Sequence, residues 1–140
     1  MNIFCYGTLM LDRIWSRVVK GSYKKQDGTI YGYRRLFIRN EIYPCLVKRT
    51  HEHFVRGVVY FNIDQEDCRI LDVFEGECYE RIKERCEIED GKSVEVEVYA
   101  LKEKYQSMAD EKEWDFGWFK KNGFNSFITK YEGFLRMKLR

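Results

Sequence analysis

The sequence has little proline and histidine, no paired cysteine motif and no long apolar run. Pro44 is the only proline, and His51 and His53 are the only histidines among 140 residues. No apolar segment approaches the roughly 20 residues that a membrane-spanning helix needs. Met1-Asn2 leads into only a few apolar residues before Gly7, so no signal peptide is expected. We therefore expect a cytoplasmic protein with no membrane partner.

The sequence also has no large excess of positive or negative side chains. Lys and Arg number 25 against 23 Asp and Glu, a formal net charge of +2, which is too balanced to indicate a nucleic-acid partner. There is no internal repeat and no low-complexity segment. At this length one domain, residues 1–140, can bury a core without disulfides or metals. Aromatic residues make up 16% and supply both core and pocket walls.

The cysteines and histidines do not form a recognisable metal or disulfide pattern. None of the cysteines forms Cys-x-x-Cys, and their scatter favours reduced thiols that act as small apolar fillers. His51 and His53 would share one face of a strand with no third ligand, which favours a solvated loop. We expect no metal and no cofactor. The five cysteines are Cys5, Cys45, Cys68, Cys78 and Cys86.

The first half of the chain predicts strands around one helix. Residues 2–6 are a short buried strand, and Thr8 is the expected N-cap of a helix with apolar residues spaced i, i+3, i+4, i+7. Asp27-Gly28 predicts a turn before a strand over residues 29–38. Pro44 confines its segment to an edge strand or a loop.

The second half predicts a strand over residues 54–63, followed by a helix that Asp64 caps and Gly76 ends. Residues 79–101 alternate apolar and polar side chains around Asp90-Gly91, which indicates a β-hairpin. The charged residues 102–113 are typical of a solvated connection.

Helical spacing of aromatic residues marks the C-terminal part, with a break expected at Asn122-Gly123. The order of elements predicts an α+β fold with a mixed, curved or barrel-like β-sheet and a few flanking helices. We expect a single domain whose C-terminal helical extension covers about residues 110–140. The sequence does not indicate an oligomeric state.

Residues 4–9, Phe-Cys-Tyr-Gly-Thr-Leu, are the first candidate functional segment. A strand that turns into a helix leaves backbone N–H groups unpaired at the helix start, and these bind a carboxylate or an oxyanion. Gly7 allows close approach of a ligand to the backbone. An ordinary tight turn is the alternative for so short a motif.

Glu75 is the candidate acid/base residue. It follows Phe74 in the last turn of the predicted helix, where the helix dipole and apolar neighbours both raise a carboxyl pKa toward neutrality. A solvated glutamate is the alternative. Asp72, Glu77 and Glu80 are equally acidic, so the local sequence does not select among them.

Four segments in the same order resemble the gamma-glutamylcyclotransferase-like family, including its gamma-glutamylamine and avirulence-induced-gene-like members. Residues 4–9 resemble the family's substrate loop, and Tyr43-Pro44 resembles its Tyr/Phe-Pro segment. Residues 57–60, Gly-Val-Val-Tyr, are similar to its Gly-x-(Val/Leu)-Tyr strand. Residues 71–76 with Tyr79 and Arg81 resemble the segment that holds the family's catalytic glutamate.

The resemblance implies a metal-independent enzyme of the acyltransferase or lyase type that releases 5-oxoproline from a small gamma-glutamyl substrate. It implies Glu75 as general acid/base, and it implies substrate binding by Tyr6, Gly7, Thr8 and Leu9, with Tyr79 as a further pocket residue. Leu9 follows Thr8 directly, without an intervening Asn, which is closer to the gamma-glutamylamine type.

Two alternatives stay open at this stage. One is a binding or interaction module that keeps the fold without turnover, since a fold does not imply a function. The other is an enzyme that removes a gamma-glutamyl protecting group during small-molecule biosynthesis.

Overall fold

Five strands close into a barrel in the order β1-β5-β2-β6-β7. Its members are β1 (Ile3–Cys5), β2 (Lys25–Tyr31), β5 (Phe54–Tyr60), β6 (Tyr79–Glu87) and β7 (Ser93–Leu101). Neighbouring strands are antiparallel except β1 and β7, which are parallel. The structure, a computed structural model, describes residues 1–130, and for Asp90 the backbone only. The predicted α+β class with a barrel-like sheet is confirmed.

A second, three-stranded sheet has the order β4-β3-β8. It consists of β3 (Tyr33–Ile38), β4 (Pro44–Lys48) and β8 (Ala109–Glu113). Pro44 begins an edge strand, as predicted. The prediction of a solvated connection over residues 102–113 was wrong, because it contains the other edge strand. Only the first residue of β8 is buried, and the rest of the strand carries charged side chains without an apolar alternation. The sequence pattern therefore gives no sign of the backbone pairing with β3.

The turn predicted at Asp27-Gly28 was also wrong, because both residues lie inside β2. The break between β2 and β3 falls instead at Gly32, which has a φ of +90°. A Cβ atom on Gly28 would lie 2.5 Å from the sulfur of Cys86 on β6. Glycine is therefore required at position 28 for close packing rather than for a turn.

The first helix, α1 (Asp12–Val18), begins later than predicted. Thr8 does not cap it: Thr8 opens a separate 3₁₀ turn, Thr8–Met10, and the N-cap residue of α1 is Leu11, without a side-chain cap. The turn follows β1 at once, with N–O distances of 3.0 Å from Met10 to Gly7 and 3.2 Å from Leu11 to Thr8.

The second helix, α2 (Gln65–Glu75), has the predicted ends. Asp64 caps it by accepting the N–H of Asp67 at 2.8 Å, and Gly76 ends it with a φ of +85°. The Asp67 carboxylate accepts three further hydrogen bonds, from the Lys20 and Gly21 N–H groups and from the Tyr23 hydroxyl. Burial alone would raise the pKa of Asp67, but these hydrogen bonds lower it. They fasten α2 to the segment that follows α1.

The C-terminal helical segment, residues 116–130, is continuous. Its first part, α3 (Phe116–Trp118), runs into a π-helical turn (Phe119–Gly123), and residues 124–130 are helical. The break predicted at Asn122-Gly123 was therefore wrong. A Cβ atom on Gly123 would lie 2.7 Å from the Phe119 ring, so the glycine permits packing inside the helix. The predicted apolar positions Tyr131, Phe134 and Leu135 lie outside the described residues.

β1 supplies alternate side chains to two separate cores. Phe4 points into the barrel with Ile30 and Val98. Ile3 and Cys5 point to the other side, where α1, α2 and the C-terminal helical segment pack. The end of β1 therefore emerges beside α2. Within residues 1–130, no helix has the length and apolar character that crossing a membrane requires.

The close approach of β1 to β5 yields the first prediction. A Cβ atom on Gly57 would lie 2.3 Å from the carbonyl oxygen of Cys5, which cannot withdraw without separating the two strands. We expect Gly57→Ala to lower the free energy of unfolding by about 2–3 kcal/mol. Gly117→Ala on the C-terminal helical segment is the control, and we expect it to change stability by less than about 1 kcal/mol. Chemical denaturation measures both; equal stability of the two variants would contradict the packing argument.

Candidate active site

A small cavity lies where β1 and α2 end. Its volume is about 30 Å³, room for roughly two water molecules. The turn that follows β1 forms one wall, and Glu75 at the end of α2 forms another. Aromatic rings cover most of the remaining surface. They belong to Phe4, Tyr6, Tyr43, Phe74, Tyr79, Tyr99 and Phe127.

The Glu75 carboxyl is the acidic group in this cavity. Glu75 is half-buried, and its carboxyl forms no hydrogen bond or ion pair with any of residues 1–130. Burial raises the pKa of Glu75 to about 8, and the negative charge of Asp72 adds to the rise. Close to neutral pH both protonation states are populated, as proton transfer requires.

The three other candidate carboxylates have different surroundings. Asp72 forms an ion pair with Arg81, with 3.1 Å between Oδ1 and Nε, and accepts the Tyr99 hydroxyl at 2.6 Å. Glu77 is exposed and accepts the Tyr105 hydroxyl at 3.0 Å. Glu80 is exposed on β6. The choice that the sequence left open thus falls on Glu75, the one of the four that lines the cavity.

The turn after β1 offers backbone donors to the cavity. Tyr6, Gly7, Thr8 and Leu9 all line it. Within residues 1–130, no acceptor pairs with the N–H groups of Gly7, Thr8 and Leu9. Part of the space beside Gly7 is filled by protein, because a Cβ atom there would lie 2.7 Å from Cγ of Pro44.

Tyrosine hydroxyls connect the cavity walls. Tyr6 donates to the backbone carbonyl of Tyr99 at 2.5 Å, while the Tyr99 hydroxyl binds Asp72. Tyr79 donates to the carbonyl of Pro44 at 2.9 Å. Burial raises the pKa of all three tyrosines well above the ordinary value, so they stay protonated. These bonds hold the turn after β1, β4 and α2 in a fixed arrangement.

The six residues that the sequence predicted to share a site do lie around one cavity, but three wall residues were missed. Tyr99 lies on the face of β7 opposite to its alternating valines, and nothing in the local sequence identifies Tyr99 as a site residue. Tyr43 was noted only beside Pro44. The sequence predicts that Phe127 is helical, but no local pattern shows that this helix lies against the cavity. The Phe127 ring contacts the rings of Tyr43 and Phe74 there, at centroid distances of 6.5 and 6.3 Å.

The sulfur and imidazole groups lie in other surroundings. All five cysteines are free thiols. Burial, with a smaller effect of Glu75, raises the pKa of the Cys5 thiol well above its usual value, which disfavours the nucleophilic thiolate. His51 and His53 lie in the turn before β5. No three His, Cys, Asp or Glu side chains converge as metal ligands in the part of the chain that the structure describes.

Comparisons with known proteins show the family and the fold of this chain. A sequence model of the family described as gamma-glutamyl cyclotransferase, AIG2-like, matches residues 3–116. Protein AIG2 C of Arabidopsis thaliana is 27% identical over 116 residues, which cover 82% of this chain and 69% of that protein.

Solved structures show the same fold. An Arabidopsis thaliana protein solved in solution superposes with a TM-score of 0.70 at 23% identity, covering 99% of this chain and 93% of that one. A structure titled gamma-glutamyl cyclotransferase superposes with a TM-score of 0.62 at 18% identity, covering 72% and 66% of the two chains. The closed barrel with its flanking helices is therefore a gamma-glutamyl cyclotransferase-like fold. The chain belongs to the gamma-glutamyl cyclotransferase, AIG2-like family.

The surroundings of Glu75 predict a pH-dependent cost in stability. Because the fold disfavours the ionised carboxyl, wild-type stability should fall as the pH rises from about 4.5 to about 8, whereas Glu75→Gln should not show this fall. We expect similar free energies of unfolding near pH 4 and a gap of a few kcal/mol in favour of Gln at pH 8–9. Urea denaturation across this range measures the gap. The exposed Glu80→Gln is the matched control, and a gap of the same size in that variant would show that Glu75 is not specially desolvated.

Proposed function

We propose that this protein is a cyclotransferase-type enzyme that converts a small gamma-glutamyl amine or peptide into 5-oxoproline and a free amine. The observation that carries the proposal is the desolvated carboxyl of Glu75 in one cavity with the N–H groups of residues 7–9, neither of which has a partner among residues 1–130. Membership of the family supports the reaction class.

The substrate brings its own nucleophile to this reaction. Glu75 takes a proton from the α-ammonium group, and the amine nitrogen attacks the γ-carbonyl carbon. The new C–N bond closes a five-membered lactam, Glu75 returns the proton to the leaving nitrogen, and the bond to that nitrogen breaks. The ring nitrogen then gives up its second proton, which the ionised Glu75 accepts and passes to the released amine. Holding the glutamyl chain folded for this attack contributes several kcal/mol through proximity.

The backbone N–H groups of the turn can bind the negative charge of the substrate. Developing negative charge on the γ-carbonyl oxygen, or the α-carboxylate itself, can be bound by N–H groups that have no partner among residues 1–130. Of residues 6–9, Gly7, Thr8 and Leu9 supply these donors, and Tyr6 and Tyr79 close the pocket around the glutamyl chain.

Substrate binding requires the cavity to widen. A volume of about 30 Å³ is far smaller than a gamma-glutamyl group. Tyr43 and Phe127 line the cavity, and Phe127 belongs to the C-terminal helical segment rather than to the barrel. We infer that these two rings move to admit the substrate and that the leaving amine passes beside them.

The direct test is a panel of gamma-glutamyl amines, dipeptides and amino acids, with 5-oxoproline release as the readout. We expect turnover of at least one compound, and for Glu75→Gln a loss of about 10²–10⁴-fold in kcat with the fold retained. Glu80→Gln should keep the wild-type rate. A non-catalytic module would instead bind 5-oxoproline without turning over any member of the panel, and a deprotecting enzyme would favour one elaborate amide.

The pH dependence of turnover follows from the same carboxyl. Since the free enzyme needs ionised Glu75 to accept the first proton, kcat/KM should rise between pH 6 and about 8 and then level off. Steady-state rates across this range measure the profile. A profile that levels off near pH 5 would mean that the active carboxylate is an ordinary, solvated one.

Neither thiols nor metals take part in the proposed chemistry. We expect EDTA to leave the rate unchanged. We also expect a folded Cys5→Ala variant to remain active, because burial keeps the Cys5 thiol protonated in wild type. Loss of activity on chelation with recovery on adding zinc would contradict this mechanism. Loss in a folded Cys5→Ala variant would point to covalent catalysis.

A further inference from the structure

Arg35 lies directly behind the turn that faces the cavity. Its Nη1 donates to the backbone carbonyl of Tyr6 at 2.9 Å and to that of Arg56 on β5 at 3.1 Å. Its guanidinium carbon lies 5.4 Å from the centre of the Trp114 ring, and the backbone N–H of Trp114 donates to the backbone carbonyl of Arg35. The Arg35 side chain is therefore held by two carbonyl oxygens and by the Trp114 ring.

The charge of Arg35 is not neutralised by an ion pair. No carboxylate lies within ion-pairing distance of it among residues 1–130, and its Nε is buried without a hydrogen-bond partner. Neighbouring Arg34, in contrast, pairs with Glu111 and Glu113 of β8. Asp115 and Glu113 act on the Arg35 charge from beyond ion-pairing distance, so the oxygens that its guanidinium contacts directly are the two backbone carbonyls.

Peptide geometry connects the Tyr6 carbonyl to the Gly7 N–H. The Tyr6–Gly7 bond is trans, so this C=O and this N–H point in opposite directions. β1 lies between β5 and β7. The carbonyl faces the β5 side, where Arg35 and the Arg56 carbonyl meet. The N–H therefore faces the β7 side, where Tyr99 and the cavity lie.

We propose that Arg35 is a positioning residue of the active site. By binding the Tyr6 carbonyl, it turns the Gly7 N–H into the cavity and polarises that peptide, so that the N–H donates to a negatively charged substrate oxygen. Arg35 itself does not touch the substrate. The inference rests on the proposed function for its kinetic consequence, but the orientation of the peptide can be measured without turnover.

The kinetic test compares Arg35→Gln with Arg34→Gln, the adjacent arginine that does not contact the turn. We expect the Arg35 variant to lose about 10²-fold in kcat/KM, the effect of misplacing one backbone donor. The Arg34 variant should stay within about 2-fold of wild type, because the Arg34 side chain pairs with Glu111 and Glu113 of β8 and not with the turn. Arg35→Lys should recover most of the loss because a single nitrogen, Nη1, makes both carbonyl bonds. Arg35→Met keeps the apolar stem against Trp114 and replaces the Gln variant if that variant does not fold.

The second measurement follows the Gly7 amide resonance in ¹⁵N-labelled protein during titration with 5-oxoproline and, separately, with acetate. We expect it to shift in wild type and in Arg34→Gln, and to shift little in Arg35→Gln. The proposal would be overturned if the Gly7 amide resonance of wild type shifted with neither probe. It would also be overturned if Arg35→Gln and Arg34→Gln had equal kcat/KM values. If no gamma-glutamyl compound is turned over while acetate still moves the amide in an Arg35-dependent way, the proposed function fails and the positioning role stands.

Discussion

The carboxyl of Glu75 lies in an apolar cavity with no partner among residues 1–130, and the surrounding structure serves to keep it there. Removing a carboxylate from water without compensation favours the neutral form, which raises its pKa into the range where proton transfer occurs. The fold has to hold this unfavourable group at the end of α2. The cap at Asp64 and the hydrogen bonds to Asp67 provide the anchoring, because they tie the first turn of the helix to the chain after α1.

Asp72 and Glu75 show how three residues of separation on one helix create opposite environments. Asp72 meets Arg81 and the Tyr99 hydroxyl, so its charge is compensated. Glu75 faces aromatic rings and experiences the Asp72 charge as repulsion. Under the proposed function these different environments suit different roles, with Asp72 as a paired charge and Glu75 as the group that carries the proton.

The turn after β1 complements Glu75 because it offers donors where α2 offers an acid. Its shape depends on contacts from outside the motif: Pro44 packs against Gly7, Tyr6 is bonded to β7, and Arg35 holds the Tyr6 carbonyl. Phe127 adds a wall from a segment beyond the matched family region. Both the turn after β1 and the C-terminal helical segment therefore contribute to the cavity wall.

Local sequence signals determined the elements whose causes are local. The Asp64 cap, the Gly76 stop and the alternation that leads to the β6–β7 hairpin act within a few residues, so pattern reasoning located them. Resemblance in the order of short motifs brought Glu75 and the turn at residues 6–9 together. Gly28 and β8 misled that reasoning, since the side chain and the strand they pack against are distant in sequence. Gly123 misled it because the glycine makes room for the Phe119 ring inside a continuous helix instead of ending the helix. For the same reason only the tertiary structure decided which carboxylate lies in the cavity and that Tyr99, Phe127 and Arg35 surround it: burial, pairing and peptide orientation depend on neighbours that the chain brings together only when it folds.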